Sequence, residues 1–163
     1  MIVLVFGLPG TGKTFISKKM AEETGAVHLN TDIIREKLGF TGHYDEKTKQ
    51  QVYNELIKHV KLELKKGSDV IVDGTFHLEN RRKQLEKIAK ESGNEIHFIE
   101  MKVEEKTAAK RLKKSRKHSE ADFEVYQQIK EEFETPEEKH LELWSDQDKT
   151  QKLIKKVKEY IYG

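Results

Sequence analysis

Cysteine is absent from all 163 residues, proline occurs twice and tryptophan once. Without cysteine there is no disulfide scaffold, no thiolate zinc site and no cysteine nucleophile. No stretch approaches 18 consecutive apolar residues, so no membrane-spanning helix is expected. The apolar start, Met1 to Phe6, is too short for a signal peptide and carries no basic segment or cleavage site, so the expected location is cytoplasmic. Excess charge of one sign is also missing. Thirty-one basic side chains face 29 acidic ones, for a net charge of +2, so no global field drives the chain onto nucleic acid or membrane. What is abundant is charge itself, 37% of residues against about 25% in an average soluble domain. The length suits one domain with a core that buries about 68–70% of the unfolded surface.

Apolar runs alternate with helical periodicity along the chain. Met1–Phe6 is continuously apolar, as in a strand buried on both faces, and residues 26–30, 70–72, 96–101 and 141–144 read as further strands. Helical patterns fill residues 15–24, 46–66, 79–91, 104–114, 120–134 and 149–162, with a brief helix reaching Leu38 that Thr31 or Asp32 would cap. Residues 39–45, with two glycines, read as a loop. Strands alternating with helices predict right-handed βαβ units. The expected fold is a single α/β domain over residues 1–163, with a parallel sheet of about five strands covered by helices on both faces.

Between the first strand and the first helix lies Gly7-Leu8-Pro9-Gly10-Thr11-Gly12-Lys13-Thr14, which fits G-x-x-x-x-G-K-[ST]. A polyphosphate must be wrapped closely by backbone. Gly7, Gly10 and Gly12 remove Cβ atoms from the path, and the exposed N–H groups then face the anion at a helix N-terminus. Lys13 supplies a point charge for the β- and γ-phosphates, and the Thr14 hydroxyl can ligate Mg²⁺. Gly7, Gly10, Thr11, Gly12, Lys13 and Thr14 are thus the candidate nucleotide-binding set.

Asp32 and Arg35 follow the second strand and share a face if a helix starts there. Ligands of open parallel sheets sit beyond the carboxyl ends of the strands, which puts Asp32 in the same crevice as the glycine loop. It could accept the proton of an acceptor hydroxyl while Arg35 grips an adjacent anion, or the two could simply be a helix cap and a surface ion pair. Asp73 ends the hydrophobic strand Val70-Ile71-Val72, the form of a carboxylate that holds Mg²⁺, though before Gly74 it would also be an ordinary turn residue.

Residues 106–117 carry seven positive charges (Lys106, Lys110, Arg111, Lys113, Lys114, Arg116 and Lys117), whereas residues 119–138 carry eight acids and only Lys130. Such a pair of helices is either a lid that closes arginines over phosphates or two solvated, mutually attractive faces.

The GLPGTGKT loop, the Asp-x-x-Arg, the VIVDGT strand end and the basic segment together resemble the P-loop kinases. The nearest group holds the polynucleotide 5′-hydroxyl kinases with small AAA-type kinases and zeta-toxin relatives. Ser119-Glu120-Ala121-Asp122 and Phe133-Glu134 strengthen that likeness, which spans about residues 1–145. It implies a three-layer P-loop NTPase fold with a helical lid at about 104–134, ATP and Mg²⁺ as cofactors, and transfer of the γ-phosphoryl to a hydroxyl of an anionic acceptor. By this resemblance Asp32 is the base, Arg35 binds the acceptor's phosphate, Thr14 and Asp73 hold the metal, and Arg111 and Arg116 are lid arginines touching ATP and its γ-phosphoryl. One departure concerns the lid. The usual spacing of four between its arginines falls on Ser115, with Arg116 one residue further on, so Lys114 competes for the γ-phosphate role. The acceptor implied is a polynucleotide 5′-OH. The alternatives are a nucleotide, sugar or drug hydroxyl, or a nucleotide-binding switch without acceptor chemistry. Against a GTPase switch stands the lack of Asn-Lys-x-Asp and Asp-x-x-Gly.

The seven histidines show no HExxH or H-x-x-x-H spacing, so no zinc site is expected. His77, near the crevice after Thr75, reads as an exposed loop residue or as one that could touch substrate. Arg81 and Arg82 read as a solvated first helical turn or as guides for an anionic acceptor, and Trp144 as packing.

Overall fold

Ile2, Leu4 and Phe6 turn to one face of the central sheet, and Val3 and Val5 turn to the other; every one of them is buried. The uninterrupted apolar run at the start of the chain is therefore the middle strand of a sheet covered on both sides. The computed structural model describes residues 1–114 and 119–163. Its five strands are β1 (Ile2–Phe6), β2 (Val27–Asn30), β3 (Val70–Asp73), β4 (Ile96–Lys102) and β5 (His140–Trp144). They lie in the order β2-β3-β1-β4-β5 and all pairings are parallel, with Leu4 opposite both Val72 and Phe98.

Two helical layers complete the fold. On one face α1 (Lys13–Thr24) and α7 (Thr150–Tyr162) insert Ile16, Met20, Leu153 and Val157 against Val3, Val5 and Ile99. On the other, α2 (Thr31–Lys37), α3 (Glu46–Lys65) and α4 (Glu79–Glu91) bring Ile34, Val52, Leu56, Leu85 and Ile88 to Ile2, Leu4 and Phe98. The helical periodicity of α3 and α4 turns into packing: Val52, Leu56, Val60, Leu85 and Ile88 on the stripe that meets the sheet are buried, and Leu64 near the end of α3 is partly so. Above the carboxyl ends of the strands stand α5 (Glu105–Lys114) and α6 (Ser119–Glu132), packed against each other. Glu105 of α5 accepts hydrogen bonds from Gln127 and Lys130 of α6, so this contact joins an acid of the basic helix to the one base of the acidic segment.

Among the described residues, no helix is long and apolar enough to cross a membrane.

Candidate active site

The chain leaves β1 at Gly7, where φ is +144° and a Cβ would run into the backbone carbonyl of Met101 on β4. Gly10 (φ +78°) and Gly12 (φ +90°) complete a turn that L side chains rarely adopt. Inside the loop the Thr11 hydroxyl donates to the Leu8 carbonyl at 2.8 Å. From outside, the Ser145 hydroxyl donates to the Thr11 carbonyl at 2.7 Å. Arg111 on α5 bridges the two sides, donating to the Gly10 carbonyl (3.1 Å) and to Ser145 Oγ (2.9 Å). The structure thus brings the predicted lid arginine to the loop. It also adds Ser145, at the end of β5, which motif reading missed. Lys13 donates to the Leu8 carbonyl at 2.9 Å. Loss of solvent pushes its ammonium down to about 8, against the nearby carboxylates of Asp73 and Asp32, which raise it.

Thr14 and Asp73 meet as the strand-end argument requires, Oγ1 donating to Oδ1 at 3.3 Å. Cis ligands of an octahedral Mg²⁺ at 2.0–2.1 Å stand about 3 Å apart, so this hydroxyl–carboxylate pair fits the ion. Two further side chains fix the carboxylate. Asn30 Nδ2 donates to Asp73 Oδ2 at 2.9 Å and to Thr14 Oγ1 at 3.2 Å, and His28 Nε2 lies 2.6 Å from the same Oδ2. Neither was anticipated. The signal lay in the register, since parallel pairing sets Asn30 directly beside Asp73 at the ends of β2 and β3.

Asn30, rather than Thr31 or Asp32, caps α2: its Oδ1 accepts from the amides of Asp32 (2.8 Å) and Ile33 (3.0 Å). Being the last strand residue, it already has the extended backbone a cap needs. Asp32 is thereby released from capping and accepts from Arg35 Nη1 at 2.8 Å while its own side chain is 76% exposed. Arg35 is buried, stacks over the Tyr44 ring at 4.6 Å and leaves Nε without a hydrogen-bond partner.

Lys13, Asp32, Arg35 and Asp73 line one cavity of about 510 Å³, which His77 and the α6 residue Glu132 also line. Two sequence expectations change here. His77 is buried, its Nε2 3.4 Å from Glu132 Oε2, because the backbone swings inward at Phe76, a non-glycine residue with φ +41°. Arg82 is fully buried rather than solvated. It donates to the carbonyls of Phe76 (2.8 Å) and Glu134 (3.0 Å) and pairs with Glu138. Its spacing to Leu85 and Ala89, on the buried stripe of α4, was the overlooked signal. Lys114, the rival for the γ-phosphate, ends α5 on an exposed position. Arg116 lies outside the described residues. Trp144 is partly buried and donates to Glu142, in keeping with packing.

Residues 2–136 match the AAA domain family. An L-seryl-tRNA(Sec) kinase of Methanococcus maripaludis is 32% identical over 163 residues, covering 96% of this chain and 61% of that protein. The chain thus spans about three fifths of that relative's length. Among solved structures, the APS kinase of Mycobacterium tuberculosis in complex with AMPPNP and APS superposes with a TM-score of 0.78 at 18% identity, covering 99% of this chain and 97% of that one. A gluconokinase from Sinorhizobium meliloti gives 0.71 at 17% identity, covering 95% and 87%. These two likenesses show the fold, an α/β P-loop NTPase with an all-parallel five-stranded sheet. With residues 2–136 matched, the chain belongs to the AAA domain family, a family of P-loop kinases.

Proposed function

We propose that residues 1–163 form one kinase domain, with a lid at about 104–134, that moves the γ-phosphoryl of ATP to a hydroxyl of a small acceptor. The observation that carries this reading is the shared cavity, in which the exposed Asp32 carboxylate faces the same space as Lys13, Thr14 and Asp73. In this reading the amides of the glycine loop and Lys13 hold the β- and γ-phosphates. Asp32 accepts the proton of the incoming hydroxyl, and Arg35 both orients that carboxylate and binds an acidic group of the acceptor. Thr14 and Asp73 would hold Mg²⁺, which supplies positive charge to the phosphate oxygens. Arg111 would stabilise ATP from the loop's outer side.

The sequence alone pointed to a polynucleotide 5′-OH. A small acceptor is better supported, because α6 stands over the cavity and two of the similar proteins above are named an APS kinase and a gluconokinase. The seryl-tRNA kinase supports a second reading, a seryl hydroxyl presented on tRNA, since that relative matches nearly the whole chain. Labelled ATP offered to small alcohols, seryl-tRNA and a 5′-OH oligonucleotide separates these acceptors. Asp32→Asn should lower transfer by about 10²–10⁴-fold while leaving ATP binding intact. Full activity in that variant removes the base, and turnover of the oligonucleotide alone reinstates the polynucleotide.

A further inference from the structure

Lys13, Asp32, Arg35 and Asp73 do not exhaust the cavity. From α3, the loop between β3 and α4, and the first turn of α4 come three more basic side chains, Lys49, His77 and Arg81. Arg81 is held in place from two sides. Its Nη2 donates to Gln50 Oε1 at 2.8 Å, and its guanidinium carbon lies 4.3 Å from the centroid of the Tyr53 ring. Both holders are neutral, and among the described residues no carboxylate forms an ion pair with Arg81. Arg35, by contrast, already shares its charge with Asp32 through Nη1. Arg81 is therefore a fixed guanidinium whose charge has no counterpart, facing a space large enough for a ligand.

Lys49 adds a second positive charge, paired loosely at 3.5 Å with Glu46, an exposed carboxylate that also lines the cavity. Lys49 lies close enough to His77 that its charge, after burial, holds the imidazole's protonation down. His77 is 7% exposed and its Nδ1 has no partner. Two carboxylates act on His77 from the other side, Glu134 and, nearer, Glu132 of α6, whose Oε2 stands 3.4 Å from Nε2. An oxyanion is thus already accommodated at the edge of the cluster.

We propose that Arg81, flanked by Lys49 and His77, is a second anion-binding point of the acceptor pocket, so that the acceptor is a small hydroxyl compound bearing a carboxylate, sulfate or phosphate group held there. A guanidinium already stacked and hydrogen-bonded loses little freedom when it takes a planar oxyanion, and partial removal from water strengthens the attraction. The proposal rests on the kinase reading above for the identity of the pocket.

Sulfate titrated calorimetrically into protein saturated with AMPPNP and Mg²⁺ tests it, since the phosphate loop is then filled. Wild type should bind at least one sulfate. Arg81→Gln and Lys49→Met should each weaken it at least tenfold, and Glu132→Gln, which removes the competing carboxylate, should strengthen it. Lys87→Met, on the exposed side of α4, should leave it unchanged. AMPPNP affinity should be the same throughout. A second arm compares hydroxy-carboxylates, hydroxy-sulfates and hydroxy-phosphates with their neutral isosteres as acceptors. The acids should be preferred more than tenfold by wild type and not by Arg81→Gln. Absence of sulfate binding, or binding untouched by Arg81→Gln, overturns the anion point while leaving the kinase reading intact. Failure to bind AMPPNP, with sulfate still dependent on Arg81, overturns the kinase reading and leaves the anion point standing.

Discussion

The guanidinium of Arg82 lies 3.3 Å from the carboxylate of Glu138, and neither side chain is more than 8% exposed. Together with the bonds from Arg82 to the Phe76 and Glu134 carbonyls, this pair ties the loop that carries His77 to the segment leaving α6. Removing one partner strands a charge away from water, which costs about 3–5 kcal/mol. Arg82→Met should lower unfolding stability by that amount in urea titrations. Adding Glu138→Leu should recover most of it, leaving the cost of two carbonyls without donors. Equal stability of the single variant and wild type would mean that the pair contributes nothing.

Lys13 gives the protein a pH signature. Its folded pKa is about 8, against 10.5 when unfolded, so between those values the unfolded chain holds more protons than the folded one. Stability in the absence of nucleotide should then rise with pH from about 8 to 10.5, by up to about 3 kcal/mol. Below pH 8 the charged, desolvated ammonium is a fixed cost. Lys13→Met should therefore be more stable than wild type at pH 7 and show a smaller slope above pH 8, although it loses transfer activity. Parallel pH profiles for the two proteins would contradict this.

The glycines of the chain separate by what surrounds them. At Gly25 a left-handed C-cap (φ +75°) has nothing within 4 Å of a new Cβ, so Gly25→Ala should cost only the backbone strain, about 1–2 kcal/mol. Gly7→Ala meets the Met101 carbonyl as well as an unfavourable φ, and the strand β4 cannot retreat without opening the sheet. Thermal unfolding should show a far larger loss for Gly7→Ala. Similar midpoints for the two variants would show that the phosphate loop can shift off β4.

The local signals of the chain were readable because they act through the nearest few residues. The glycine loop, the apolar strand β1 and the Asp-x-x-Arg turn each carry their meaning within eight positions, and the structure places them together as the spacing predicts. What escaped depends on pairing across the sheet. His28 and Asn30 reach Asp73 from 45 and 43 residues away, and only the β2–β3 register makes them neighbours. Arg82 escaped for another reason. Its charge suggested solvent, whereas its place on the buried stripe of α4 decided the outcome once Glu138 and two carbonyls were available to satisfy it. The burial of His77 was hidden by a single left-handed residue, Phe76, whose conformation no local preference announces.

The contact between His28 and Asp73 bears on the proposed Mg²⁺ site. A carboxylate held by Asn30 and His28 on the same Oδ2 keeps Oδ1 turned to Thr14, and so presents two oxygens in a fixed relation to an incoming ion. Residues that orient a metal-binding carboxylate commonly matter by 10–100-fold in metal affinity. His28→Ala should therefore raise the Mg²⁺ concentration that half-saturates binding of a fluorescent ATP analogue by about tenfold. Asp73→Asn, which weakens the ligand itself, should raise it further. Affinity for the analogue measured without Mg²⁺ should change little, because the loop amides and Lys13 are untouched. If His28→Ala lowers thermal stability but leaves the Mg²⁺ curve where it was, the histidine supports β3 alone and has no part in placing the metal.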